Sequence, residues 1–90
     1  MNVAYTPQAI EDIAYWRSTD RRKYDRIRRL IAAVADDPFE GIGKPERLKG
    51  DLAGKWSRRI DQEHRLVYEI VGALEVTVVV ILAARCHYQR

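Results

Sequence analysis

Ninety residues, 47% of them hydrophobic, suffice for one domain spanning 1–90 but leave little room for an enclosed pocket, since a chain this short buries only roughly 60–65% of its unfolded surface. A large ligand is then met on an open face or in a groove, which favours a polymer over a small metabolite. Sixteen Lys and Arg against thirteen Asp and Glu give a net charge of only +3, yet seven basic residues crowd between Arg17 and Arg29 and seven more between Lys44 and Arg65, a distribution suited to a polyanionic partner.

For the first basic cluster a solvated helix face is an equally good reading; the second, in a stretch rich in loop residues, is harder to dismiss. The single cysteine, Cys86, excludes an intrachain disulfide and fits a reducing compartment. The opening Met-Asn-Val-Ala-Tyr has neither a charged leader nor an apolar core of a signal peptide, and the longest apolar run, Leu74 to Ala84, contains Glu75 and falls well short of the ~20 residues that span a bilayer. A cytoplasmic protein without membrane attachment is expected.

In chain order, Asn2 to Tyr5 reads as a short strand. Thr6 and Pro7 then supply an N-cap and a first-turn proline for a helix to about Trp16 or Arg17, with Ile10, Ile13 and Ala14 as its apolar stripe. A second helix starts near Asp20, carries Tyr24, Ile27, Leu30, Ile31 and Val34 at helical spacing, and ends before Pro38. From Pro38 to Gly54 glycines and prolines break any periodicity, leaving a long connection with one short strand near Arg47 to Lys49. Lys55 to Ile60, Arg65 to Ile70 and Leu74 to Arg85 read as strands, with turns near Gln62 and at Gly72-Ala73. The last is apolar on both faces and so belongs in the middle of a sheet. The expected class is α+β, with two N-terminal helices packed on one side of a twisted, mostly antiparallel sheet of about four strands.

The chemistry-bearing residues gather late in the chain: Pro-Phe-Glu-Gly-Ile-Gly-Lys-Pro-Glu-Arg-Leu-Lys from Pro38, Trp56-Ser-Arg-Arg-Ile, Glu63-His-Arg-Leu-Val-Tyr and the terminal Arg85-Cys-His-Tyr. Together with Glu11-Asp12 and Tyr15-Trp16 these strings cover nearly the whole chain, and they resemble the YoeB branch of the RelE-type toxins, whose fold is the RelE-like microbial ribonuclease fold. The resemblance implies a toxin of a type II toxin–antitoxin pair that cleaves mRNA in the ribosomal A site, by attack of a ribose 2′-OH on the adjacent phosphate, and so inhibits translation. Carried over by motif, Glu46 is the general base, Arg65 stabilises the phosphorane and His87 is the general acid, while Lys49, Arg59 and Tyr88 support phosphate and base. It also implies the ribosome and mRNA as partners, an acidic YefM-like antitoxin that covers the basic groove, and relatives that pair as homodimers, although nothing in the sequence marks a dimer surface.

Transesterification needs a base for the 2′-OH, positive charge on the phosphoryl oxygens and an acid for the departing 5′ oxygen, and glutamate, arginine and histidine supply all three without a metal or other cofactor. Taken singly each has a duller role. Glu46 could pair with Lys44 or Lys49 on the loop, Arg65, opposite in strand parity to Leu66, Tyr68 and Ile70, could be a solvated sheet arginine, and His87 an inert tail residue; only their joint appearance within the family motif favours catalysis. Cys86 and His87 are adjacent, so in a continuing strand they face opposite ways and cannot form a nucleophile pair, and His64, Cys86 and His87 lack zinc-site spacing. The chain departs from the family pattern in Cys86, where tyrosine is more usual, in a longer hairpin around Gly72 to Thr77, and in Gln89-Arg90 beyond the His-Tyr end. The rival readings are a non-catalytic module that holds RNA or an acidic partner in the same groove, and the gyrase-poisoning branch of the fold, against which Glu46 and His87-Tyr88 argue.

Overall fold

The computed structural model describes residues 1–73 and 76–86. Strand β1 (Asn2–Tyr5) leads into helices α1 (Pro7–Thr19) and α2 (Arg21–Asp36). A loop follows, with the two-residue strand β2 (Glu46–Arg47) and a short 3-10 turn (Gly50–Leu52), before strands β3 (Lys55–Arg59), β4 (Arg65–Ala73) and β5 (Val76–Cys86). The strands form one mixed sheet of five in the order β1-β5-β4-β3-β2, with β1 parallel to β5 and the other pairs antiparallel. The fold is thus the expected α+β class with one strand more than counted. The apolar strand β5 lies inside the sheet, between β1 and β4, as its two-faced hydrophobicity requires. No helix among the described residues is long and apolar enough to cross a membrane.

The helix ends follow from their caps. Thr6 Oγ1 accepts the Ala9 N–H at 3.1 Å, and Pro7 occupies the first turn, where its missing N–H costs nothing. Asp20 ends α1, its N–H donating to the Trp16 carbonyl, and starts α2, its carboxylate accepting the Lys23 N–H at 3.2 Å. One residue therefore turns the corner between helices, and α1 runs to Thr19, beyond the predicted end. Helix α2 buries Ile27, Leu30 and Val34 in the main core with Trp16, Leu66, Tyr68, Val79 and Ile81.

The stripe expected on α1 is corrected in part, since of its three residues Ile13 packs, half-buried, against the main core. The buried residues of α1 are Ala9, Asp12 and Trp16, whereas Ile10 is 59% exposed and Ala14 is exposed. Asp12 and Trp16 face inward because β5 offers backbone partners: the Ala84 N–H donates to Asp12 Oδ2 at 3.0 Å, and Trp16 Nε1 donates to the Ala84 carbonyl at 2.7 Å. Polar groups that keep their hydrogen bonds can be buried, so the apolar pattern did not mark this face. The turn expected at Gly72-Ala73 is likewise strand, paired as Gly72↔Thr77 and Ala73↔Val76; positions 74 and 75 of that hairpin lie outside the described residues.

Candidate active site

The two sides of the sheet differ. Leu66, Tyr68, Val79, Ile81 and Ala84 face the helices, and a small second cluster, Leu48, Val67 and Ala83 with Leu52 and Leu82, lies apart from that core. Three strands bring charged residues together on the side away from the helices. In the β2–β3 ladder Glu46 pairs with Ser57, and in the β3–β4 ladder Arg59 pairs with Arg65. Arg65 Nη1 donates to Glu46 Oε1 at 2.8 Å and to Ser57 Oγ at 3.1 Å. Ser57 is fully buried, so the guanidinium is anchored from the strand beneath, leaving the Arg65 side chain 13% exposed and that of Glu46 52% exposed. The strand parity expected for Arg65 holds, and it sits beside the carboxylate the motif assigned as base.

Two arginines directly opposite each other in an antiparallel pair repel, and like charges in that arrangement destabilise a sheet. The Glu46 carboxylate bonded to Arg65 offsets part of that repulsion. Arg59 is exposed; its N–H donates to the Gly43 carbonyl at 2.7 Å and its carbonyl accepts Arg26 Nη2 at 3.2 Å, so the strand end is fixed. Beyond it Asp61 organises the turn into β4, accepting the N–H groups of Glu63 at 2.7 Å and His64 at 2.6 Å and pairing with Lys23 at 2.9 Å. Desolvation opposes the Asp61 charge, but the His64 N–H, Lys23 and the Glu63 N–H outweigh it and hold the carboxyl below the usual carboxylate range. The hydrogen bond that Lys23 donates to Asp61 in turn raises the Lys23 ammonium above its ordinary value.

Lys49 is exposed on the loop, where it precedes the 3-10 turn, and makes no ion pair with a described carboxylate. His87 and Tyr88 lie outside the described residues, as does the parity argument that set Cys86 against His87. The motif thus has Glu46, Arg65 and Arg59 converging on one face. Sequence reasoning missed Ser57, although its alternation with Arg59 along β3 places both on the side that Arg65 occupies.

Arg58, counted within the basic groove on sequence alone, is corrected: it is fully buried on the helix side. Its guanidinium donates to the Tyr68 hydroxyl at 3.2 Å and to the carbonyls of Ile42 at 3.2 Å, Asp37 at 2.5 Å and Glu40 at 3.1 Å. Burial raises the Tyr68 hydroxyl above its ordinary pKa against the opposing effect of Arg58, so it stays protonated and donates to the Pro38 carbonyl at 2.7 Å. Together these side chains tie down the loop that delivers Glu46. Gly43 lets that loop close: at φ +85° a Cβ there would stand 2.7 Å from Leu30 Cδ2.

The chain is similar to known proteins over almost its whole length. A family model described as the YoeB-like toxin of bacterial type II toxin–antitoxin systems matches residues 5–88. Toxin YoeB of Streptomyces coelicolor is 51% identical over 88 residues, covering 98% of this chain and 100% of that protein. Among solved structures, a YoeB/ParE toxin from Agrobacterium tumefaciens superposes with a TM-score of 0.91 at 42% identity, covering 98% of this chain and all of that one. The toxin in a heterotetrameric YoeB–YefM toxin–antitoxin complex from Staphylococcus aureus superposes at 0.82 with 38% identity, covering 98% of each chain. With a family model spanning almost the whole chain and a relative more than half identical over the same length, the chain belongs to the YoeB-like toxins of bacterial type II toxin–antitoxin systems.

Proposed function

We propose that residues 1–90 form one toxin domain that acts in the cytoplasm as a ribosome-dependent endoribonuclease, cutting mRNA in the A site without a metal. The observation that carries this reading is the Glu46–Arg65 pair, anchored on Ser57 and flanked by Arg59, on an open face of the sheet. A phosphodiester lying against Arg65 has its neighbouring ribose within reach of Glu46. Glu46 takes the 2′-OH proton as the 2′ oxygen attacks phosphorus. Arg65, with Arg59 and Lys49, neutralises the charge that builds on the phosphoryl oxygens. The bond to the 5′ oxygen breaks, His87 protonates the departing oxygen, and Tyr88 supports a base or phosphate nearby. The products are a 2′,3′-cyclic phosphate and a 5′-OH. An acidic antitoxin neutralises the protein by covering the same basic face; the YoeB–YefM complex of the similar toxin supports such a partner.

The test is incubation of the protein with ribosomes stalled on a defined mRNA. A single cut in the A-site codon, ending in a cyclic phosphate and surviving metal removal from the toxin while ribosomes keep their magnesium, is the expected result. Tight ribosome binding with no cut favours the non-catalytic module, and activity restored specifically by Zn²⁺ or Mn²⁺ overturns the metal-free chemistry.

Association should also depend steeply on salt, because each neutralised phosphate releases counterions. Lys49→Ala or Arg59→Ala should each flatten the slope of log K against log salt by about 0.7–0.9. Unchanged slopes in both variants would show that the nucleic acid lies elsewhere.

A further inference from the structure

Asp12 and Trp16 come from the two α1 motif pairs of the sequence, and the chemistry above uses neither. They are only 5% and 6% exposed, and burying a carboxylate is costly unless its oxygens are bonded. Asp12 Oδ1 accepts from Gln8 Nε2 at 2.8 Å, and Oδ2 takes the Ala84 N–H. Strand β1 stops pairing with β5 at Tyr5↔Ile81. From there the start of α1 takes over: the Thr6 N–H donates to the Ile81 carbonyl at 3.0 Å and the Thr6 hydroxyl to the Leu82 carbonyl at 2.9 Å, and Asp12 and Trp16 hold both polar groups of the Ala84 backbone.

This handover coincides with an irregularity on the other side of β5. The β4–β5 register shifts between Val67 and Tyr68 and again between Arg65 and Val67, so that Val67 faces Ala83 while Arg65 faces Cys86. Such bulges re-aim side chains, and a slip of one residue would turn every following side chain to the other face. We infer that Asp12 and Trp16 are positioning residues for cleavage: gripping Ala84 from α1, they lock the β5 bulge and so set Arg65, whose partner in the ladder is Cys86. The inference rests on the ribonuclease reading for its kinetic consequence, but not for its geometry.

Single-turnover cleavage at saturating protein tests it. Asp12→Leu keeps the shape without an acceptor and Trp16→Phe removes the N–H donor; each should lower the rate of folded protein about 10–100-fold, since ~1 Å misplacements cost this much, with half-saturation within about threefold of wild type. Asp12→Asn retains an oxygen for Ala84, and its amide can meet Gln8 after that side chain flips, so its rate should stay within about threefold of wild type. A merely structural role would lower the melting temperature of Asp12→Leu and leave the rate of the folded fraction alone. Folded Asp12→Leu cleaving at the wild-type rate, or Asp12→Asn as slow as Asp12→Leu, overturns the inference. Should Asp12→Leu not fold, Trp16→Phe carries the same test. If the wild type does not cleave, the ribonuclease reading fails and amide exchange decides: the Ala84 N–H should be protected in wild type and Asp12→Asn and exchange at least about tenfold faster in Asp12→Leu or, through the lost grip on its carbonyl, in Trp16→Phe. Equal protection in all of them overturns the clamp.

Discussion

Glu46→Gln should slow single-turnover cleavage of ribosome-bound mRNA by about 10²–10⁴-fold, the range a positioned base contributes, while binding to the ribosome changes only a few-fold. Arg65→Ala should lose at least as much, because it removes charge that matters most when the phosphorane forms. Stability does not confuse the reading. The Glu46 side chain is half exposed and Gln keeps an oxygen that accepts from Arg65, so Glu46→Gln should change stability by about 1 kcal/mol, whereas the expected loss of rate corresponds to roughly 3–5 kcal/mol of barrier. The double variant should be little slower than the worse single one, since the two groups act on one transition state. Wild-type-like cleavage by Glu46→Gln would remove the base from the mechanism.

The other large effect is structural, and falls on a residue that charge alone assigns to the nucleic-acid surface. Arg58→Met deletes the guanidinium donors that serve the Tyr68 hydroxyl and the carbonyls of Asp37, Glu40 and Ile42, all within the protein. The Tyr68 hydroxyl is buried and the three carbonyls are partly so, and an acceptor left without its donor in such a place costs about 1–3 kcal/mol. Against a total stability on the order of 5–13 kcal/mol for a domain of this length, that is a large fraction. The urea midpoint should fall sharply. At low temperature, where the variant is still folded, the salt slope of ribosome binding should match wild type. Arg58→Lys should not restore stability, since an ammonium on a flexible stem cannot reproduce a planar fork spread over four acceptors. A stable variant with a flattened slope would instead return Arg58 to the RNA surface.

Arg58 and Arg59 show what a sequence can and cannot decide. They are neighbours of the same type in one basic cluster, and composition assigns both to a groove. Strand alternation sends them to opposite faces, which is legible locally, but which face is covered by helices is not. Alternation along β5 misleads in another way. Counting from Val79 and Ile81 on the helix side puts Ala83 there too, yet the register shifts place Ala83 with Leu48 and Val67, and Ala84 in the main core. Nothing in the run of apolar residues marks where a bulge falls, because every alternative keeps apolar side chains on both faces.

The sequence by itself determined the helices and their caps, the β3–β4 hairpin, the central place of β5, the side of the sheet that Arg65 occupies, and the motif that names the family. These follow from periodicity and from hydrogen bonds closed within a turn of chain, such as Thr6 to Ala9 and Asp20 to Lys23. Only the tertiary structure decided that Ser57 seats Arg65, that Arg58 pins the loop bearing Glu46, and that α1 buries Asp12 rather than Ile10. The Asp12–Ala84 and Trp16–Ala84 bonds join positions 72 and 68 residues apart. A polar side chain can be buried only where a backbone partner is waiting, and which backbone lies opposite is known only once helices and sheet have packed.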